Sequence, residues 1–171
     1  IAISLAKNLP NAKVSALDVS EDALEIAKEN AKMNNVNIEF IHADIFEYQS
    51  DKKYDFIVSN PPYVTESEKT LMKKNVLDFE PELALFVKDD NPLLHYFEII
   101  NLFKDNLAGY LFFEINNRYY EDLNQYLAEN DFKVQKFDDH RGLSRFILAL
   151  KSKIHFWMIH EFLQNLKNLQ Y

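Results

Sequence analysis

Cysteine is absent from the 171 residues, and its absence excludes two classes of protein. No disulfide framework can staple the chain, and no thiolate can hold zinc or an iron–sulfur cluster. A chain of this kind suits the cytoplasm. Glycine is almost absent as well: Gly109 and Gly142 are the only two. No glycine-rich loop of the sort that lets backbone approach a nucleotide can be built from so few. No run of about 18 uncharged apolar residues occurs, so no helix is expected to cross a membrane. Basic clusters are reduced to short pairs such as Lys52–Lys53 and Lys73–Lys74, against a net charge of −8. A broad nucleic-acid footprint needs Lys and Arg gathered on one face, so no direct nucleic-acid contact is expected and the pairs read as solvated surface. No signal peptide is visible, and Ile1 reads as the interior of a longer protein.

Apolar residues make up 47% of the chain, including 14 Phe and 9 Tyr, which suits one domain with an aromatic-rich core. The order of elements is regular. Ile1 to Asn8 reads as the end of a helix, closed by Pro10 and Asn11. Lys13 to Asp18 reads as a strand. Ser20 offers an N-cap to a helix whose apolar face is Ala23, Leu24, Ala27 and Ala31, and Asn34 and Asn35 break it. Asn37 to His42 and Tyr54 to Ser59 are strands, the latter running straight into Asn60-Pro61-Pro62-Tyr63. A long loop follows, with a short helix near Ser67 to Lys74. Then come a helix (Pro92 to Asn106), a strand (Gly109 to Asn116), a helix (Tyr119 to Asn130), a strand (Phe132 to Phe137), a turn (Asp138 to Leu143) and a last strand (Ser144 to Leu150). Alternating strands and helices imply an α/β fold with a mostly parallel sheet. The turn before the last strand is too short for a parallel crossover, so the final pair forms a C-terminal antiparallel hairpin.

Three strand ends carry candidate chemistry. In open α/β sheets ligands bind beyond the carboxyl ends of the strands. Asp18 stands at one such end and could accept from both hydroxyls of a ribose. Asp44 stands just beyond the next and could accept from an adenine amino group, with Ile45 packed on the ring. Taken alone, each reads more readily as a solvated loop carboxylate. The segment Asn60-Pro61-Pro62-Tyr63 is more specific. An amide or exocyclic amino nitrogen is a poor nucleophile because its lone pair is delocalised, so a site that alkylates it must orient that lone pair. The Asn60 side-chain oxygen can accept one N–H of the target and the Pro61 carbonyl the other. Pro61 and Pro62 fix φ and carry no N–H, so the loop can hold its carbonyls at the site. Tyr63 offers a flat face for a planar group. The competing reading is an ordinary proline-rich turn.

Val58-Ser59-Asn60-Pro61-Pro62-Tyr63, followed by Phe79-Glu80-Pro81-Glu82-Leu83-Ala84-Leu85, resembles the protein-(glutamine-N5) methyltransferases, and among them the peptide chain release factor glutamine methyltransferases. Leu93-Leu94-His95-Tyr96 and Gly109-Tyr110-Leu111-Phe112-Phe113-Glu114-Ile115 extend the likeness, which covers residues 1 to 150. The resemblance implies a Rossmann-like fold that uses S-adenosyl-L-methionine. It implies a peptide chain release factor as protein substrate. It also implies cofactor contacts from Asp18, Asp44, Ile45 and Asn60, and substrate contacts from Asn60 to Tyr63. The tetrapeptide is shared with adenine methyltransferases.

The chain departs from that pattern in two places. The family's glycine-rich cofactor loop and first strand would stand before Ile1. Glutamine methylation of a ribosomal protein, adenine N6-methylation of nucleic acid and an inactive fragment therefore stay as alternatives. After Lys151, the apolar residues Ile154, Met158, Phe162, Leu166 and Leu169 recur at helical spacing, which predicts a C-terminal amphipathic helix over residues 151–171. His155 and His160 are five apart, off the spacing that puts two ligands on one helix face, so no metal is expected.

Overall fold

A computed structural model describes residues 1–72, 81–139 and 142–151. The expected C-terminal helix and its histidines therefore lie outside the described residues, as do Phe79 and Glu80. Ile1–Gln49 form one compact unit, and the described residues from Ser50 onward form a second.

The first unit contains α1 (Ala2–Asn8), β1 (Val14–Asp18), α2 (Glu21–Met33) and β2 (Ile38–His42). β1 and β2 pair in parallel, Val14 opposite Ile38 and Asp18 opposite His42. A parallel pair needs a long crossover, and α2 supplies it. Ser20 starts that helix as expected: its hydroxyl accepts the Ala23 N–H at 3.2 Å. Glu21 and Asp22 occupy the first turn, where the helix dipole favours negative charge. The two asparagines end it. Asn34 donates its side-chain amide to the Asn30 carbonyl, and Asn35 takes a φ of 54°, a left-handed conformation that asparagine tolerates better than most residues. The apolar face is narrower than the sequence implies. Leu24 and Ala31 are buried, but Ala23 is exposed. Successive residues point about 100° apart around a helix, which puts Ala23 beside the stripe rather than in it.

The second unit begins with β3 (Tyr54–Ser59) and the two-residue β4 (Val64–Thr65). The short helix expected near Ser67 is a 3₁₀ segment over Glu66–Leu71. Then follow α3 (Glu82–Leu85), β5 (Phe86–Val87), α4 (Leu94–Phe103) and β6 (Leu107–Glu114). A 3₁₀ turn at Asn117–Tyr119 leads into α5 (Tyr120–Glu129), β7 (Phe132–Asp138) and β8 (Ser144–Lys151). The main sheet has the order β3-β6-β8-β7. β3 and β6 are parallel, and β7 and β8 form the expected antiparallel hairpin. β8 lies between β6 and β7 and is antiparallel to both, so it alone runs against the others.

Burial follows that order. β8 is central, and Ile147, Leu148, Ala149 and Leu150 are all buried. β7 is an edge strand that exposes Lys133, Gln135 and Lys136, the kind of polar edge that discourages further pairing. α4 buries Tyr96, Ile99, Ile100 and Phe103 at helical spacing, and α5 buries Leu123 and Leu127. Aromatic contacts lock the helices down, with Tyr96 edge-on to Phe113 at 5.3 Å between ring centroids and Phe97 against Tyr126 at 4.1 Å.

Gly109 is required by this packing. A Cβ built on it would lie 2.0 Å from the Asp55 carbonyl oxygen, where the β3–β6 register slips between Tyr54 and Phe56. The strand expected from Gly109 begins earlier, at Leu107, because Leu107 already pairs with Tyr54.

Candidate active site

In the first unit, parallel pairing delivers two carboxylates to the same end of one sheet. Asp18 closes β1, and Asp44 follows β2 by two residues. The two loops are tied together: the Ala43 N–H donates to the Asp18 carbonyl at 3.1 Å, and His42 Nε2 meets the Val19 carbonyl at 3.0 Å. Each carboxylate also braces its own loop. Asp18 Oδ1 accepts the Ser20 N–H at 2.9 Å, and Asp44 Oδ1 accepts the Phe46 N–H at 2.9 Å. Neither Oδ2 receives a hydrogen bond from a described residue. Val19 and Phe46, beside the two acids, are each 43% exposed, and Ile45 is half-buried. Two oriented acceptors flanked by apolar surface fit a nucleoside, whose hydroxyls and amino group donate and whose base is flat.

In the second unit the candidate loop leaves the carboxyl end of β3. Asn60 is exposed, Pro61 is buried, and Pro62 and Tyr63 are half-buried. The Asn60 carboxamide bonds to no described residue. These four residues line a pocket of about 240 Å³, and Ala84 and Leu85 form another part of its wall. The two sequence segments that together suggested a family are thus brought to one cavity. Three contacts hold them there. Val64 and Thr65 pair in parallel with Phe86 and Val87. Lys69 pairs with Glu82 and lies 5.0 Å over the Phe86 ring. The Ser67 N–H donates to Asp89 Oδ1 at 3.2 Å. Asp89 is held below the usual carboxylate range chiefly by its hydrogen bonding to Ser67.

Tyr63 is embedded more deeply in this network than its sequence position suggests. Its hydroxyl donates to Glu114 Oε1 at 3.0 Å and accepts from Arg145 Nη2 at 3.2 Å. Arg145 pairs with the same Glu114 oxygen at 2.8 Å. The Tyr96 hydroxyl donates to the Glu114 carbonyl at 2.8 Å, fixing the end of β6. Burial raises the Tyr63 pKa first, and the Glu114 charge raises it further, against an opposing pull from Arg145. Tyr63 is therefore a neutral phenol at physiological pH. Reasoning from sequence missed Glu114, Arg145 and Tyr96 as parts of the site. Tyr96 and Glu114 stood in segments that carried the family likeness, but Arg145 had no local signal.

Residues 1–79 match the family model of the methyltransferase small domain. The chain is 47% identical over 154 residues to a protein of Bacteroides thetaiotaomicron named release factor glutamine methyltransferase, covering 87% of this chain and 55% of that protein. A protein of the same name in Flavobacterium psychrophilum is 49% identical over 136 residues, 78% of this chain and 48% of that protein. The chain spans about half the length of the curated relatives it matches. Among solved structures, a methyltransferase from Pyrococcus furiosus matches with a TM-score of 0.63 at 18% identity, covering 88% of this chain and 68% of that one.

Proposed function

We propose that this chain, a relative of the release factor glutamine methyltransferases, serves the transfer of a methyl group from S-adenosylmethionine to a side-chain amide nitrogen of glutamine in a peptide chain release factor. Its fold is the Rossmann-like α/β fold of S-adenosylmethionine-dependent methyltransferases. The observation that carries the reading is the pocket walled by both Asn60–Tyr63 and Ala84–Leu85. A planar primary amide presents two N–H donors, and the loop offers two acceptors for them, the Asn60 side-chain oxygen and the Pro61 carbonyl.

When bound, the cofactor supplies an electrophilic methyl carbon on a sulfonium. Asp18 would accept from its ribose hydroxyls and Asp44 from its adenine amino group, with Ile45 against the ring. Asn60 and Pro61 would hold the amide so that its nitrogen lone pair faces outward for attack. Tyr63 would cover the plane of the amide, and Pro62 keeps the loop stiff. The methylated nitrogen is acidic and gives its surplus proton to solvent, so rate comes from positioning and electrostatics rather than from a general base. A cytoplasmic location accompanies this substrate. Among the described residues no helix is long and apolar enough to cross a membrane.

The test is methyl transfer by the full-length protein to a release factor, to the same factor with its target glutamine replaced, to a ribosomal protein and to DNA. Transfer to the first alone is expected. Transfer that survives glutamine replacement, or that favours DNA or the ribosomal protein, overturns the reading.

A further inference from the structure

The amide-orienting role assigned to Asn60 and Pro61 leaves a charged cluster beside the pocket unused. It is assembled by topology. β3 and β6 run in parallel with Ser59 opposite Phe113, so the next residues along the two strands, Asn60 and Glu114, emerge side by side. β8 pairs with β6 in the opposite sense, with Glu114 opposite Phe146, and the Ile115 N–H donates to the Arg145 carbonyl at 2.9 Å. Three segments far apart in sequence thus bring Tyr63, Glu114 and Arg145 together.

We propose that Glu114 and Arg145 are positioning residues that act through Tyr63, fixing its ring as one wall of the amide pocket. The proposal rests on the reading of Asn60–Tyr63 as the amide-orienting loop. A phenol hydroxyl has one proton to donate and lone pairs to accept with. Here the proton goes to Glu114 Oε1 at 3.0 Å and Arg145 Nη2 donates to the oxygen at 3.2 Å, so both functions are used. A ring anchored at Cα and at its hydroxyl has little freedom to swing into or away from the cavity. The Arg145 guanidinium also stands 5.8 Å from the ring centroid, adding a third restraint.

The guanidinium has a second effect. Glu114 is only 22% exposed at its side chain, and an unpaired carboxylate there would attract the N–H donors of an incoming amide away from Asn60. Arg145, 2.8 Å from the carboxylate, neutralises that competitor. The backbone supports the arrangement, since Tyr96 holds the Glu114 carbonyl and Asn116 Nδ2 reaches the Tyr63 carbonyl at 3.5 Å.

The experiment has two arms on the full-length protein. The first measures methyl transfer to a release factor by Glu114→Ala, Glu114→Gln, Arg145→Ala and Arg145→Lys, each also combined with Tyr63→Phe. A displaced pocket wall is expected to lower kcat about 10–100-fold in Glu114→Ala while KM for S-adenosylmethionine stays constant. Glu114→Gln, which keeps an acceptor for the phenol, and Arg145→Lys, which keeps the charge, are expected to recover part of the loss. In the Tyr63→Phe background Glu114→Ala is expected to cost little more. Independent, multiplying losses overturn the proposal. The second arm needs no substrate: ¹³C-tyrosine NMR, with Tyr63 identified by its disappearance in Tyr63→Phe. The Tyr63 signal is expected to move and to titrate at lower pH in Glu114→Ala, and an unchanged signal overturns the proposal. Failure of the wild type to methylate the release factor counts against the proposed function, and the NMR arm then decides the positioning pair alone.

Discussion

Val64 is the parallel partner of Phe86, the first rung of a two-residue ladder that also joins Thr65 to Val87. The ladder begins one residue after Tyr63 and one residue after Leu85. It is therefore the backbone device that holds the Asn60–Tyr63 loop and the Glu82–Leu85 helix to one pocket. Thr65 reinforces it from within: it is 1% exposed, and its N–H and hydroxyl both donate to Glu68 Oε2 at 3.0 Å.

Replacing Asn60 with alanine removes the acceptor proposed to orient the target amide. The expected loss is on the order of 10²–10³ in kcat, typical of one oriented polar contact made in the transition state. Tyr63→Ala should cost less because it removes a wall rather than the acceptor, and Tyr63→Phe least, because it keeps the ring and loses only the hydroxyl anchor to Glu114 and Arg145. Steady-state methyl transfer to a release factor gives the order. Near-normal turnover in Asn60→Ala rejects the assigned mechanism.

Asp18→Ala should weaken S-adenosylmethionine binding by about 1–3 kcal/mol, the range for hydrogen bonds to a charged acceptor. Ser20→Ala is the control. It removes the N-cap of α2, costing about 1 kcal/mol of stability, but leaves the Ser20 N–H to hold Asp18 in place. Titration calorimetry should therefore separate the two, and equal affinities for Asp18→Ala and the wild type would falsify the ribose role.

Gly109→Ala forces a methyl group to within 2.0 Å of the Asp55 carbonyl oxygen, a backbone atom that cannot rotate aside. The β3–β6 pairing must shift, at an expected cost of about 1–3 kcal/mol or more. For a chain of this length that lowers Tm by roughly 2–4 °C per kcal/mol. A thermal melt checks it. Gly142→Ala probes a different mechanism, since its φ is 76° and open space surrounds it, so strain rather than collision sets its smaller cost.

Alkaline pH should expose the buried phenols. Burial raises the Tyr96 pKa above its ordinary value of 10.0, and Tyr63 is raised as well. The native state therefore favours the neutral form of each. That contribution is complete below pH 10.0, the ordinary value, and is lost as pH rises through the raised values. Stability in urea should decline above that point. Tyr96→Phe has no proton to release and should decline less over the same interval. At neutral pH it should be about 1 kcal/mol less stable for want of the hydrogen bond to the Glu114 carbonyl. Equal alkaline losses in both proteins would assign the effect to another group.

Much of this was legible in the residues themselves, where the cause is local. Ser20 before two acids announced a helix start, two adjacent asparagines its end, and a short turn ahead of Ser144 an antiparallel hairpin. Asn60-Pro61-Pro62-Tyr63 carries its donor and acceptor chemistry within four residues, so the candidate loop could be named without coordinates. Parallel pairing also followed from the alternation of strands and helices, and with it the meeting of Asp18 and Asp44 at one sheet end. Tertiary structure alone decided the rest. The insertion of β8 between β6 and β7, the Val64–Phe86 ladder and the slip that demands Gly109 are matters of register between distant strands. Arg145 reaches Tyr63 across 82 residues of sequence, a contact that depends on a strand order no local pattern encodes.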